Sequence, residues 1–236
     1  MVAVAAVNLL ETKALTKKFG GLTAVEDVDL TIAKGQVHAL IGPNGAGKST
    51  FVGLVSGRIS ASRGEVFFEG ENITALSAHR RIRHGMAYTF QITAIFSRLS
   101  LFDNVALALG SRDAGAVAYA LHRGGLAQRQ EQIAGDLAYG HQRLLEIAMG
   151  VAQAPRLLIL DEPTQGLAEG EIESFHTLIR ELAGETTILL IEHNMSVVMA
   201  LADRITVLDS GRVLAEGSPV DIHADPLVQE AYLGTT

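Results

Sequence analysis

The stretch GPNGAGKST, from Gly42 to Thr50, constrains this chain more than any other. It matches G-x-x-x-x-G-K-[ST], and it stands between a predicted strand, QVHALIG at 36–42, and a predicted helix, STFVGLVSG at 49–57. Glycines at 42, 45 and 47 let a loop wrap so that successive backbone N–H groups point at a phosphate, with the N-terminus of a helix behind them. Lys48 then reaches the β- and γ-phosphates as a point charge, Ser49 offers a hydroxyl to Mg²⁺, and Thr50 adds a phosphate contact. Pro43, Asn44 and Ala46 complete the cradle. An ordinary glycine-rich turn is the bland alternative; the agreement of every fixed position with the strand-loop-helix context stands against it.

A chain of 236 residues that is 48% hydrophobic can bury one substantial core, or a core with a smaller subdomain attached. Short aliphatic runs alternate with amphipathic stretches, as in an α/β protein with a largely parallel sheet. GEVFFEG at 64–70 reads as an edge strand between glycine turns, and RLLILDEP, TTILLIEHN and DRITVLDSGRVLAEG each read as a strand or hairpin. From Phe102 to Val151 the strand signal disappears and the sequence reads as helix, a subdomain inserted between two parts of one sheet core. The absence of cysteine excludes disulfides and thiolate metal sites and suits a reducing compartment. A net charge of −7 argues against coating a nucleic acid. The apolar start MVAVAAVNLL is too short to span a bilayer, so membrane contact is expected to be peripheral and through a partner.

Two further segments carry chemistry. In RLLILDEPT the carboxylates of Asp161 and Glu162 emerge where a buried strand ends, which in open α/β sheets is the ligand side. Asp161 suits Mg²⁺ and Glu162 suits a residue that orients or deprotonates an attacking water; a solvated acidic turn is the alternative. His193 follows another apolar strand, where an imidazole could touch a γ-phosphate or serve structure alone. GDLAYGHQRLLEIAMG, at 135–150, opens as a glycine-bracketed loop and becomes a helix with Leu144, Ile147, Ala148 and Val151 on one face. A glycine at a helix mouth lets a ligand approach the backbone N–H groups, although a core helix with a flexible start explains the stretch equally well.

Taken together these stretches resemble an ATP-binding cassette nucleotide-binding domain, in the expected order over nearly the whole chain. The resemblance implies one domain over 1–236: a P-loop NTPase core, an antiparallel β subdomain and an inserted helical subdomain over about 92–152. It implies ATP and Mg²⁺ as ligands, Gln91 in AYTFQ touching Mg²⁺ and the attacking water, Phe19 in LTKKFGGL stacking on adenine, and His193 as the switch histidine. Residues 137–141 fall at the family's signature, so Ala138, Tyr139, Gly140 and His141 would meet the γ-phosphate of ATP held by a second protomer. Two ATP molecules would then be sandwiched in a head-to-tail dimer whose closure drives membrane-embedded permease subunits at the cytoplasmic face, with an external solute-binding protein engaged indirectly. Both ends of the chain look like the ATPases of branched-chain or hydrophobic amino-acid uptake; an ATPase of lipid export and a soluble cassette ATPase are the alternatives.

Three positions depart from the family's pattern. The signature usually carries a serine where Ala138 stands and a glutamine where His141 stands, and Ala168 replaces the aspartate common in the loop after the acidic strand. One charge-assisted hydrogen bond is worth about 1.5–3 kcal/mol, enough to weaken a site supported by many donors but not to abolish it. HRRIRH at 79–84 reads as a solvated helix face in preference to a lipid or partner contact.

Overall fold

A computed structural model describes residues 8–89 and 94–233, so Gln91 and most of the apolar N-terminal stretch lie outside the described residues. The chain begins with β1 (Asn8–Phe19), β2 (Leu22–Ala33), β3 (Val37–Ile41), α1 (Lys48–Val55), β4 (Arg63–Phe68), β5 (Glu71–Asn72) and α2 (Ala78–Arg83). It continues through β6 (Met86–Thr89), α3 (Leu101–Leu109), α4 (Ala114–Arg123), α5 (Tyr139–Val151), β7 (Leu157–Asp161) and α6 (Glu169–Ala183). The last elements are β8 (Thr187–Ile191), α7 (Met195–Leu201), β9 (Arg204–Asp209), β10 (Arg212–Gly217), α8 (Pro219–Ala224) and α9 (Pro226–Leu233). They group into two compact units, Met1–His84 with Thr187–Thr236, and Gly85–Thr186.

In the first unit β1 and β2 make an antiparallel hairpin that turns at Gly20 and Gly21, with Phe19 opposite Leu22. This sheet has the order β2-β1-β4-β5. The segment expected as an edge strand therefore has a neighbour on both sides, and the edge falls to the two-residue β5, which pairs Phe67 with Asn72 and Phe68 with Glu71. The apolar run VFF could not reveal this, because so short a partner has no strand signal of its own.

The same unit holds β3 between β8 and β9, parallel to both, with β10 antiparallel along β9. Every residue of β3 and β8 is buried, as unbroken aliphatic runs require when both faces of a parallel strand are covered. Val198 of α7, Ile222 of α8 and Val228 of α9 pack with Ala39, Ile41 and Val207, so the C-terminal helices seat the strand that launches the phosphate loop.

The basic cluster at 79–84 is only partly a solvated face. Arg80 and Arg83 are exposed, whereas Arg81 is buried. Its guanidinium donates to the carbonyls of Leu54 at 2.8 Å, Val55 at 2.6 Å, Thr74 at 3.0 Å and Leu76 at 3.0 Å. Leu54 and Val55 close α1, where carbonyls lack intrahelical donors and a cation complements the helix dipole. In so short a helix, charge spacing alone cannot distinguish the residue that turns inward.

In the second unit β6 and β7 run parallel, with Met86 beside Leu157 and Thr89 beside Leu160. α3, α4 and α5 enclose a cluster that includes Leu101, Val105, Val117, Leu121, Leu145 and Ala148. On α5 the buried set is Gly140, Arg143, Leu145, Glu146, Ile147, Ala148 and Gly150. Leu144 and Val151, expected on the core face, are only partly covered. Packing against α3, α4 and β6 covers more of α5 than a single apolar stripe, which draws an arginine and a glutamate inside. Among the described residues no helix is long and apolar enough to cross a membrane.

Buried His38 of β3 shares a hydrogen bond between Nε2 and Thr206 Oγ1 at 2.8 Å. Burial, with a smaller effect of Arg204, lowers its pKa from 6.5 to about 4. The native imidazole therefore stays neutral while the unfolded one takes up a proton, so stability falls as pH drops from 6.5 towards 4, by about 3 kcal/mol when complete. Urea unfolding across that interval should show a shallower decline for His38→Gln than for the unaltered protein; identical slopes would contradict this assignment.

Candidate functional site

The first unit carries the phosphate loop. β3 ends at Ile41, and the chain turns through Gly42, Gly45 and Gly47 at φ 150, 83 and 100. Gly47 is the N-cap of α1 and offers no side-chain cap, and no acidic residue stands in the first turn of that helix. The first-turn N–H groups of a helix have no intrahelical acceptors, so an anion is the natural partner for this end. The Gly211 N–H donates to the Ala46 carbonyl at 3.0 Å and the Glu26 N–H to the Gly211 carbonyl at 2.8 Å, which braces the loop from behind. Lys48 is buried, and its ammonium lies on the carbonyls of Gly42 at 2.7 Å and Pro43 at 3.0 Å. Asn44, Gly45 and Ser49 are exposed, Ala46 is buried, and Pro43 and Thr50 lie between.

Two other expected residues belong to this unit. Phe19, at the end of β1, is 48% exposed, with the Lys17 ammonium 4.9 Å from its ring centroid. Its apolar chemistry alone suggests a core residue; the structure shows an open aromatic face. His193 follows β8 with its side chain 54% exposed. Beside it the fully buried Glu192 accepts from the N–H groups of His193 at 3.1 Å and Asn194 at 3.4 Å. Glu192 thus sets the backbone that presents the histidine, a role that IEHN does not reveal.

The second unit carries the acidic strand end and the start of α5. Asp161 closes the wholly buried β7, and the Tyr88 hydroxyl donates to its Oδ2 at 2.6 Å. Glu162 has φ 47, a left-handed conformation that costs a residue with a Cβ about 1–3 kcal/mol and persists where its surroundings impose it. Arg143 Nη2 donates to the carbonyls of both Asp161 and Glu162 at 3.2 Å, and Arg143 Nη1 donates to Glu146 Oε2 at 2.6 Å. Tyr88, Arg143 and Glu146 were not legible as site residues. The i,i+3 charge pair reads as a surface pair, and a tyrosine in MAYT reads as sheet filling.

Ala138 is the N-cap of α5 and has no side-chain bond to the helix start. Tyr139 is exposed, and the buried His141 Nδ1 has no hydrogen-bond partner. Gly140 also has a packing reason to be bare. A Cβ there would stand 2.1 Å from Glu171 Oε1, so packing against a carboxylate of the same unit already requires a glycine. Glu171 Oε2 also accepts from the Ala168 N–H at 2.9 Å, which caps α6 at the position where an aspartate is usual.

The chain is similar to known proteins over almost its whole length. Residues 25–165 match the family model described as ABC transporter, and residues 212–236 match one described as branched-chain amino acid ATP-binding cassette transporter. The chain is 37% identical to the high-affinity branched-chain amino acid transport ATP-binding protein BraF of Pseudomonas aeruginosa, over 96% of this chain and 98% of that one. It is 36% identical to LivG of Escherichia coli, which carries the same description, with the same coverage. A crystal structure of an ATP-binding cassette of an ABC transporter in its ADP conformation superposes with a TM-score of 0.88 and 28% identity, covering 96% of this chain and 99% of that one.

The loop geometry separates Gly47, which the motif fixes, from Gly45, which it leaves open. A Cβ at Gly47 would stand 2.4 Å from the Ala24 carbonyl oxygen, whereas one at Gly45 meets nothing within 4 Å. Gly45→Ala should cost only its left-handed φ, about 1 kcal/mol, while Gly47→Ala adds a backbone clash and should cost at least ~2 kcal/mol more. Urea unfolding of the two variants checks the order; equal losses would contradict it.

Proposed function

Since this chain belongs to the ABC transporter family as an ATP-binding, ATP-hydrolysing subunit, we propose that it powers uptake of branched-chain or other hydrophobic amino acids. The match of residues 212–236 to the branched-chain amino acid cassette model carries this choice of solute. Likeness to BraF and LivG over almost the entire chain supports it.

In this reading Phe19 stacks on adenine, and the N–H groups from Gly42 to Thr50 take the phosphates. Lys48 exchanges the carbonyls of Gly42 and Pro43 for the β- and γ-phosphates. The exposed Ser49 hydroxyl and the Asp161 carboxylate are hard oxygen donors, few in number, which fits Mg²⁺ held largely by nucleotide phosphates. Mg²⁺ there would offset phosphate charge. Glu162 orients water for attack on the γ-phosphorus and accepts its proton as the bond to the bridging oxygen breaks, giving ADP and phosphate. His193 steadies the γ-phosphate, and Gln91 takes part beside the water.

The N–H groups at Ala138, Tyr139, Gly140 and His141 take the γ-phosphate of ATP held by a second ATPase protomer. ATP favours closure because it contacts both protomers only in the closed state. Permease subunits at the cytoplasmic face of the membrane turn closure into transport of a solute delivered by an external binding protein. The missing hydroxyl at Ala138 leaves this contact to backbone donors.

Glu162→Gln should bind Mg-ATP with unchanged affinity, lose hydrolysis by about a hundredfold or more, and accumulate a closed dimer; near-unaltered turnover would remove the assignment. Lys48→Ala should lose Mg-ATP binding in a fluorescence titration, and an unchanged dissociation constant would exclude the phosphate-loop reading. With the permease and binding protein that co-purify with the chain, leucine, isoleucine or valine should stimulate ATP hydrolysis in liposomes. Stimulation by a lipid substrate alone would contradict the proposed solute.

A further inference from the structure

The ion pair inside α5 is not explained by stability. Arg143 is 1% exposed and Glu146 is 5% exposed. Two charges in an apolar helix interface are expensive to desolvate, and an apolar pair of similar volume commonly does as well or better. The fork of the guanidinium achieves something an apolar pair cannot. Its Nη1 is fixed by Glu146 at 2.6 Å, which leaves Nη2 to bond the two successive carbonyls of Asp161 and Glu162 at 3.2 Å. Those carbonyls bracket the Cα of Glu162, where the chain leaves β7 and enters a left-handed conformation at φ 47. A backbone in that conformation needs restraint from its surroundings. Tyr88 restrains the Asp161 side chain from β6, but Arg143 restrains the main chain, and it does so from the helix that starts at Tyr139.

We propose that Arg143, held by Glu146, is a positioning residue for hydrolysis. It sets the backbone of Glu162 and ties it to the helix whose first turn receives the partner protomer's nucleotide. Docking of a γ-phosphate on the start of α5 thereby fixes the hydrolytic carboxylate of the same chain through one buried side chain. This rests on the proposed roles of Glu162 and of residues 138–141.

The test separates turnover from binding. Arg143→Met combined with Glu146→Leu keeps the volume and removes both members of the pair together. Arg143→Lys retains a charge opposite Glu146 but cannot fork across two carbonyls. Each variant is measured for the Mg-ATP dissociation constant and for kcat at saturating ATP, beside Glu162→Gln. The expected result is a dissociation constant within about twofold of the unaltered protein and a kcat at least about tenfold lower, ~1.4 kcal/mol of transition-state stabilisation. Unaltered kcat overturns the inference, and so does a loss of affinity as large as the loss of kcat, the mark of a damaged fold. If the double variant does not fold, Arg143→Lys decides by the same split. Glu162→Gln distinguishes the failures: if it turns over normally, the hydrolytic reading falls and this inference with it. If it is inactive while the Arg143 variants run at full kcat, only the link through Arg143 is wrong.

Discussion

The start of α1 has no side-chain cap, and in the proposed reading the rest of the nucleotide chemistry depends on its backbone donors. Gly47 sits at φ 100 as an N-cap without a cap, and the first turn holds no carboxylate to neutralise the helix dipole. β3 seats the loop, and the turn at Gly211 bonds it from behind. Protein contacts that order the loop lower the cost of ordering it on binding, which in the proposed reading favours phosphate. The Lys48 ammonium lies on two loop carbonyls, so in the proposed reading reaching phosphate exchanges one set of acceptors for another.

The second unit repeats the theme with a different support. α5 also begins without a side-chain cap, at Ala138, and its first turn meets a carboxylate of its own unit, Glu171, across the bare Gly140. The acidic strand end is held on two sides. Tyr88 bonds the Asp161 carboxylate, and Arg143 bonds the main chain at Asp161 and Glu162. The strand end is therefore held from a strand neighbour at the Asp161 side chain and from a helix at the main chain of Asp161 and Glu162.

The sequence showed most clearly what is periodic or stereochemically forced. GPNGAGKST marked its loop because the glycines, the lysine and the hydroxyl each have a separate physical reason, and β3, β7, β8 and the β9–β10 hairpin follow from aliphatic runs ending at turns. Less legible was everything decided by what packs on a residue. Arg81, Arg143 and Glu146 carry surface-type side chains that turned inward to reach carbonyls or each other. Phe19 carries a core-type ring that stayed exposed. The place of β4 inside its sheet depended on a partner too short to be seen. Gly140 was singled out for closeness to a ligand, and the structure shows closeness to Glu171. Such cases turn on neighbours distant in sequence, which periodicity does not encode.

The central claim is that backbone amides at two helix starts are the phosphate ligands, one set for the chain's own nucleotide and one for its partner's. Amide hydrogen exchange reads those groups directly. In the Glu162→Gln protein, assembled with its ATPase partner, Mg-ATP should slow exchange at both 43–50 and 139–142, whereas ADP should slow only the first. Protection of neither segment by ATP, or equal protection of 139–142 by ADP, would contradict the account.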